Sequence, residues 1–347
     1  MKKIILPVIS AITLFLLLTA CGGERVVMKD IFPTVESVNQ KLSALGNITD
    51  EDSAKEAMNI YEDYLFLTPS EKAQISHINK IKDNISEIST ALGKDSSPVK
   101  VMGFNVRCAE IDEGRISRVV QTIKEEAPDV LGIQEGVTEM CKELKSALSD
   151  EYEMLGNGRD DDKKGENCNV FYKKASFTLM ESDTLWITDT PFVYSAHKES
   201  ACARIFTYQL LKRNSDGQLF LHINTHFDHM GASARVYQAQ TLTDWIIDNF
   251  DDGIPVAITG DFNCSEGSPA YKVFIGEGYE ASTSYGESKR TYNGYRDGDG
   301  GGVIDFCFVN EWSKILSYKV CNEKIEGQWI SDHNAIVSEI VLVPTVK

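Results

Sequence analysis

The run from Val256 to Asn263, VAITGDFN, constrains the fold more than any other part of the chain. An apolar, β-branched segment this short, stopped by Gly260-Asp261, reads as a buried strand whose end carries Asp261 and Asn263 to the rim of a sheet. The pattern recurs. VKVMGFN ends in Asn105, VLGIQEG holds Gln134-Glu135 at its end, LFLHINTH ends in Asn224 and His226, and GGGVIDFCFVN carries Asp305. In WISDHNAIVSEIVLV, Asp332 and His333 stand just ahead of the apolar run. Between these segments, GRISRVVQTIKEEAPD and GASARVYQAQTLTDWIIDNF repeat apolar residues with helical period. Strands alternating with a few long helices, several joined by short connections suited to antiparallel pairing, predict an α/β fold with helices covering sheets.

The 347 residues suit one large or two unequal domains, and a hydrophobic content of 42% is enough for a sizeable core. Acidic residues outnumber basic ones by 52 to 35, a formal net charge of -17. Such a surface repels polyanions, which argues against a tight, sequence-reading DNA binder but leaves open a metal-assisted enzyme acting on phosphate esters.

Met1-Lys2-Lys3 and the apolar run after it have the layout of a secretory signal over residues 1–20. The segment closes on Leu18-Thr19-Ala20-Cys21, which resembles a bacterial lipobox and implies lipid attachment at Cys21, first residue of a linker over 21–30. Diacylation would hold the protein stably at the membrane, outside the cytoplasm. Ordinary cleavage or an uncleaved anchor are the alternatives. The remaining seven cysteines show no C-x-x-C spacing and read as buried small side chains, with a Cys168–Cys202 pairing left open.

Residues 31–93 carry helical periodicity and almost no strand signal, predicting a small all-α bundle of three helices. The first places Val35, Val38, Leu42 and Leu45 on one face; the third opens on the capping sequence Thr68-Pro69-Ser70-Glu71 and runs through Ile75, Ile78, Ile85, Ile88 and Leu92 to Gly93. The segment YLFLTPSEKAQISHINKI resembles short helical modules of Gram-positive surface proteins, although a plain spacer is the simpler reading and no residue argues for a ligand-binding module. GKDSSPV marks the boundary to a catalytic domain over 97–347.

Each polar strand end has an ordinary explanation by itself: a turn asparagine, a surface glutamate, a satisfied core histidine. Their order is more specific. Asn105, Gln134-Glu135, Glu166, Arg204, His226, Gly260-Asp261-Phe262-Asn263, Asp305 and Ser331-Asp332-His333 resemble the endonuclease/exonuclease/phosphatase superfamily from Val99 onward. The resemblance implies a four-layered α/β sandwich, two mixed sheets face to face with helices outside. It implies Glu135 as principal Mg2+ ligand, with Asn105 and Asp332 as further metal positions. Asp261 and Asn263 would orient the attacking water and hold the phosphate. His333 would pair with Asp305, and His226 with Glu166, while Arg204, Asn105 and Asn263 would contact the substrate. Such a set supplies an in-line water, charge neutralisation and proton transfer at both ends of one P–O bond.

The expected cofactor is therefore Mg2+ or Mn2+, with Ca2+ a further candidate, and the expected partner a phosphate ester on a nucleic acid, a nucleotide or a lipid. No protein partner is evident, and a monomer is expected. His226 stands where abasic-site endonucleases of the superfamily have asparagine, and VIDFCFV lacks the Cys-Asp-Arg of inositol-polyphosphate 5-phosphatases. Trp186, Phe192 and Tyr194 read as loop packing rather than a membrane-engaging hairpin, and Tyr295 to Gly302 as an active-site loop. The competing expectation is a surface-binding lipoprotein whose catalytic set is vestigial.

Overall fold

The computed structural model describes residues 32–109, 114–250, 253–287, 289–298 and 301–345. The signal segment and Cys21 lie outside the described residues, as do two positions of the Tyr295–Gly302 loop. The chain divides into two compact units, one built from residues 32–92 and 244–250, the other from residues 93–243 and 253–345.

In the smaller unit, α1 (Val35–Ala44) and α2 (Glu51–Leu65) start on Thr34 and Asp50, whose side chains accept hydrogen bonds from the third backbone N–H of each helix. Val38, Leu42, Ala54, Ala57, Met58 and Ile88 are fully buried and form its centre. The predicted third helix is broken into α3 (Pro69–Lys72), α4 (Asn79–Lys82) and α5 (Ile85–Ala91). The break has a local cause. Asn39 on α1 accepts from Ser76 N and Oγ and donates to Gln74 O, and His77 takes a left-handed φ of 66°, so the helical ladder cannot run through.

The larger unit holds two mixed six-stranded sheets. The first comprises β1 (Val99–Asn105), β2 (Val130–Gly136), β3 (Tyr152–Leu155), β4 (Asn167–Lys173), β11 (Ser313–Cys321) and β12 (Ala335–Leu342), in the order β11-β12-β1-β2-β4-β3. The second comprises β5 (Phe177–Trp186), β6 (Ile205–Arg213), β7 (Leu219–His226), β8 (Val256–Asp261), β9 (Glu280–Ala281) and β10 (Asp305–Val309), in the order β5-β6-β7-β8-β10-β9. Only β1 with β2 and β7 with β8 run parallel among the named strand pairs.

Period-2 alternation builds the layers. Val101, Val130, Leu211, Phe220, Ala257, Cys307 and Ile336 point between the sheets into one core. Their neighbours Met102, Phe104, Leu131 and Ile133 point outward, under Val119 and Ile123 of α6 (Arg115–Glu126) and Met140 and Leu144 of α7 (Thr138–Leu148). On the second sheet's outer face, Phe262, Phe306 and Phe308 pack against Tyr271 and Phe274 of α9 (Pro269–Gly276), with ring centroids 4.4 to 6.0 Å apart. The helix α8 (Ala232–Asn249) crosses between β7 and β8, the connection a parallel pair requires. This is the four-layered α/β sandwich anticipated from the sequence.

Between the sheets the core is locally polar. Asn224 on β7 donates to Ile133 O and Asn169 O of the first sheet and accepts from Gln134 Nε2 at 2.6 Å. Gly132 is obligatory there, because a Cβ would sit 2.4 Å from Asn224 Oδ1 and 2.3 Å from Thr259 Oγ1. His222, also fully buried, accepts at Nδ1 from Gln209 Nε2 and contacts Thr259 Oγ1 through Nε2.

Candidate active site

The topology gathers polar residues at one rim of the larger unit. Parallel β1 and β2 end together, which brings Asn105 and Glu135 side by side, and parallel β7 and β8 put His226 opposite Asp261. β10 is antiparallel to β8, so its first residue, Asp305, is the register partner of Asp261. β12 is antiparallel to β1 and starts beside β1's end, so Asp332 and His333, just ahead of it, arrive at the same rim.

Asp261 is the centre of the arrangement. Its Oδ2 lies 3.5 Å from His226 Nε2 and 3.6 Å from His333 Nε2, and accepts from Asn105 Nδ2 at 3.0 Å. Its Oδ1 accepts from Asn263 N at 2.9 Å. Glu135 has a left-handed φ of 62°, the kind of backbone strain that a rigid frame sustains at a functional position. Its carboxylate accepts from Asn105 Nδ2 at 2.9 Å and from Cys108 N at 3.0 Å. Asn105 thus ties Glu135 to Asp261 through one amide nitrogen, while its oxygen accepts from Arg107 N. The geometry makes the Asn105 amide nitrogen a strut between two carboxylates. Asp332 Oδ2 is paired with Arg107 Nη1 at 2.5 Å.

On one flank, His333 Nδ1 meets both oxygens of Asp305, at 2.9 and 3.1 Å, which leaves Nε2 turned toward Asp261. Burial opposes charge on this ring, but Asp305 and Asp261 together outweigh it and lift the His333 pKa well above the ordinary histidine value. Asp261 is raised by its burial, against the pull of His333. Glu135 is held below the ordinary carboxylate value: burial pushes it up, and the donated bonds from Cys108 and Asn105 more than reverse that.

On the other flank, His226 is kept neutral, its pKa driven well down by burial and then by the positive charge of Arg204. Asn263 Nδ2 donates to its Nε2 at 3.0 Å and to Phe227 O, so the ring proton sits on Nδ1. That Nδ1 faces Glu166 at 3.9 Å, too far for a hydrogen bond, because Arg159 grips both Glu166 oxygens at 2.8 Å. Arg204, 4% exposed, contacts His229 Nδ1 at 2.9 Å and lies 3.6 Å from Asp228; its buried Nη1 has no hydrogen-bond partner among the described residues. Asp228 in turn accepts from Ser200 Oγ and from the backbone of Ala201, Met230 and Gly231, which hold its pKa at about 2 against the opposing effect of burial.

Two residues of this rim escape a reading of the sequence by strand ends. Arg107 sits two positions past Asn105, a usable signal; Arg159 lies in the charged run GRDDDKKGE, which reads as a solvated turn. Asp228, two positions past His226, is visible in the sequence but reads nearly as well as a helix cap. Cys168 and Cys202 are both free thiols. Cys168 lies on β4 of the first sheet, whereas Cys202 precedes β6 of the second, so they do not share a ladder as neighbouring strands would.

Two overlapping donor groups, Glu135–His226–Asp261 and Asp261–Asp305–His333, each hold their ligand atoms within 4.8 Å of one another. The chemistry of the set fits a divalent cation. Glu135, Asp261, Asp305 and Asp332 bring four carboxylates to one rim, oxygen donors of the kind Mg2+ and Mn2+ select.

The sequence profile described as Endonuclease/Exonuclease/phosphatase family matches residues 102–333. Among solved structures, an endonuclease/exonuclease/phosphatase from Bacteroides vulgatus is 29% identical, with 71% of this chain and 99% of that one covered at a TM-score of 0.66. A mannosyl-6-phosphatase from Bacteroides thetaiotaomicron is 26% identical, with 70% and 100% covered at 0.64. The human nocturnin catalytic domain, 18% identical with 71% and 94% covered at 0.57, shares the fold. No curated protein matches the chain.

Proposed function

Since this chain belongs to the Endonuclease/Exonuclease/phosphatase family, we propose that it is a divalent-metal-dependent phosphoesterase. The observation that carries the reading is Asp261 Oδ2, set 3.5 Å from a neutral histidine and 3.6 Å from a charged one, with Glu135 tied to it through Asn105. Glu135 would hold the cation, with Asp332 as a further carboxylate. When bound, the cation withdraws charge from the phosphoryl oxygens.

The protein's own residues do the rest. His333, kept as an imidazolium by Asp305, presents a proton at Nε2 to the negative oxygens of the substrate. Asp261 and Asn263 orient a water for in-line attack. His226 becomes a proton acceptor at Nε2 once Asn263, which donates to that nitrogen, turns its amide to the phosphate, and Arg204 offers its buried Nη1 to a non-bridging oxygen. Small phosphate esters suit the protein better than polymers, because a net charge of -17 repels a long polyanion. The similarity to a mannosyl-6-phosphatase points the same way.

Leu18-Thr19-Ala20-Cys21 supports placing the enzyme outside the cytoplasm, lipid-anchored at Cys21, with the helical unit as spacer. Cys21→Ser is expected to release the protein from the membrane fraction of producing cells; unchanged membrane retention contradicts the anchor. The activity is tested with p-nitrophenyl phosphate and bis-p-nitrophenyl phosphate. Turnover is expected with Mg2+ or Mn2+, and is expected to vanish with EDTA and in His333→Ala. No metal-dependent turnover of either ester, or of a broader phosphate-ester panel, contradicts it.

A further inference from the structure

The two walls of the site differ in kind. On the His226 side the wall is made of charged pairs, Arg159 with Glu166 and Arg204 beside Asp228, and it presents no open aromatic face among the described residues. On the His333 side stands Tyr292, 38% exposed, its ring 5.0 Å from the imidazole and inclined at 65°. An aromatic left open beside a proton-holding histidine costs burial energy unless something covers it.

Tyr292 is also fixed. Its N–H donates to Gly302 O, its backbone bridges His333, and Asn334 N donates to Thr291 O. Thr291 Oγ1 accepts from Ile304 N and Asp305 N, and Asn293 N and Gly294 N both donate to Asp332 O. Gly294 brings its backbone against the phenol end of the ring: a Cβ there would lie 3.4 Å from Cζ and Oη. Little freedom remains to be lost when a ligand packs on such a surface.

We infer that Tyr292 is a specificity-determining platform for the alcohol part of the substrate, a ring-bearing sugar whose apolar face stacks on the phenol while its phosphate sits under Asp261. The neighbouring Arg107–Asp332 pair puts donors and acceptors within the same rim, which sugar hydroxyls can use and a purely aromatic alcohol cannot. This inference rests on the phosphoesterase reading.

The test compares glucose 6-phosphate with methyl phosphate, which has no ring, on metal-loaded full-length protein, its Tyr292→Ala variant and its Tyr292→Phe variant. Calorimetric titration of both compounds accompanies the kinetics. Tyr292→Ala is expected to lower the kcat/KM ratio of glucose 6-phosphate to methyl phosphate by about tenfold, chiefly through KM, and Tyr292→Phe to keep it. Equal losses on both esters would make Tyr292 a support for His333 and overturn the inference, as would an unchanged ratio. Should the unaltered protein hydrolyse methyl phosphate and neither hydrolyse nor bind the sugar ester, the inference falls while the phosphoesterase reading stands. Should it hydrolyse neither ester and bind neither, the inference falls, and the phosphoesterase reading falls with it only when bis-p-nitrophenyl phosphate is also left intact with Mg2+ or Mn2+.

Discussion

Acid is expected to weaken this fold through one residue that never touches substrate. His222 sits between the sheets with no exposed surface, Nδ1 accepting from Gln209 Nε2 at 2.9 Å and Nε2 directed to Thr259 Oγ1 at 3.0 Å. Both ring nitrogens are satisfied only while the ring is neutral, since a second proton would point at the Gln209 amide hydrogens. Burial accordingly depresses its pKa to about 3, whereas the unfolded chain protonates near the ordinary value of 6.5. The unfolded state therefore binds the extra proton first. The stability held by the neutral ring is complete above the unfolded pKa and is lost as pH falls toward the folded one. The full interval corresponds to about 5 kcal/mol, of which about 2 kcal/mol is gone by roughly pH 5. Urea unfolding followed by near-ultraviolet circular dichroism at about pH 8 and pH 5 measures this directly. His222→Gln cannot titrate; it is expected to be less stable than the parent at the higher pH, yet to lose about 2 kcal/mol less on acidification. Identical acid losses in the two proteins would refute the reasoning. The effect reaches the site, because Thr259 lies two residues ahead of Asp261 on β8.

Other consequences follow from the rim. Asp305→Asn removes the charge that holds His333 protonated, and kcat is expected to fall by roughly two to four orders of magnitude with the alkaline limb of the pH–rate profile moved to lower pH; an unmoved limb contradicts the pairing. Glu135→Gln is expected to weaken Mg2+ or Mn2+ binding, seen by calorimetry as a rise in Kd of about tenfold or more; an unchanged Kd would place the cation elsewhere. Arg204→Lys keeps a charge but loses the fork that meets His229 and leaves Nη1 open, so kcat/KM is expected to drop by roughly 10- to 100-fold; full activity would remove Arg204 from phosphate contact.

The strand ends were the legible part of this protein. A sheet delivers its terminal residues to one rim whenever parallel strands end together and antiparallel ones begin there, so apolar runs ending in Asn105, Glu135, His226 and Asp261 carried spatial information. Less legible was anything whose role depends on a partner far away in sequence. Arg159 sits among aspartates and lysines and reads as solvated, yet it takes the carboxylate that the sequence assigned to His226. The polar seam between the sheets did leave a trace: His222, Asn224 and His226 occupy alternate positions of β7, one face of a strand otherwise fit for a core. The broken third helix left none, because the apolar spacing continues past Ser76 and only the distant Asn39 interrupts the ladder.

The central claim is that Glu135, Asp261 and His333 act together on one metal-polarised phosphate. The most direct measurement is inhibitor-free turnover of p-nitrophenyl phosphate against Mn2+ concentration, for the unaltered protein and for Glu135→Gln, Asp261→Asn and His333→Ala. Saturable metal activation in the parent, with each variant down by at least about 100-fold at saturating metal, is the predicted result. Activity that ignores Mn2+ and EDTA, or that survives all three substitutions, would contradict the account.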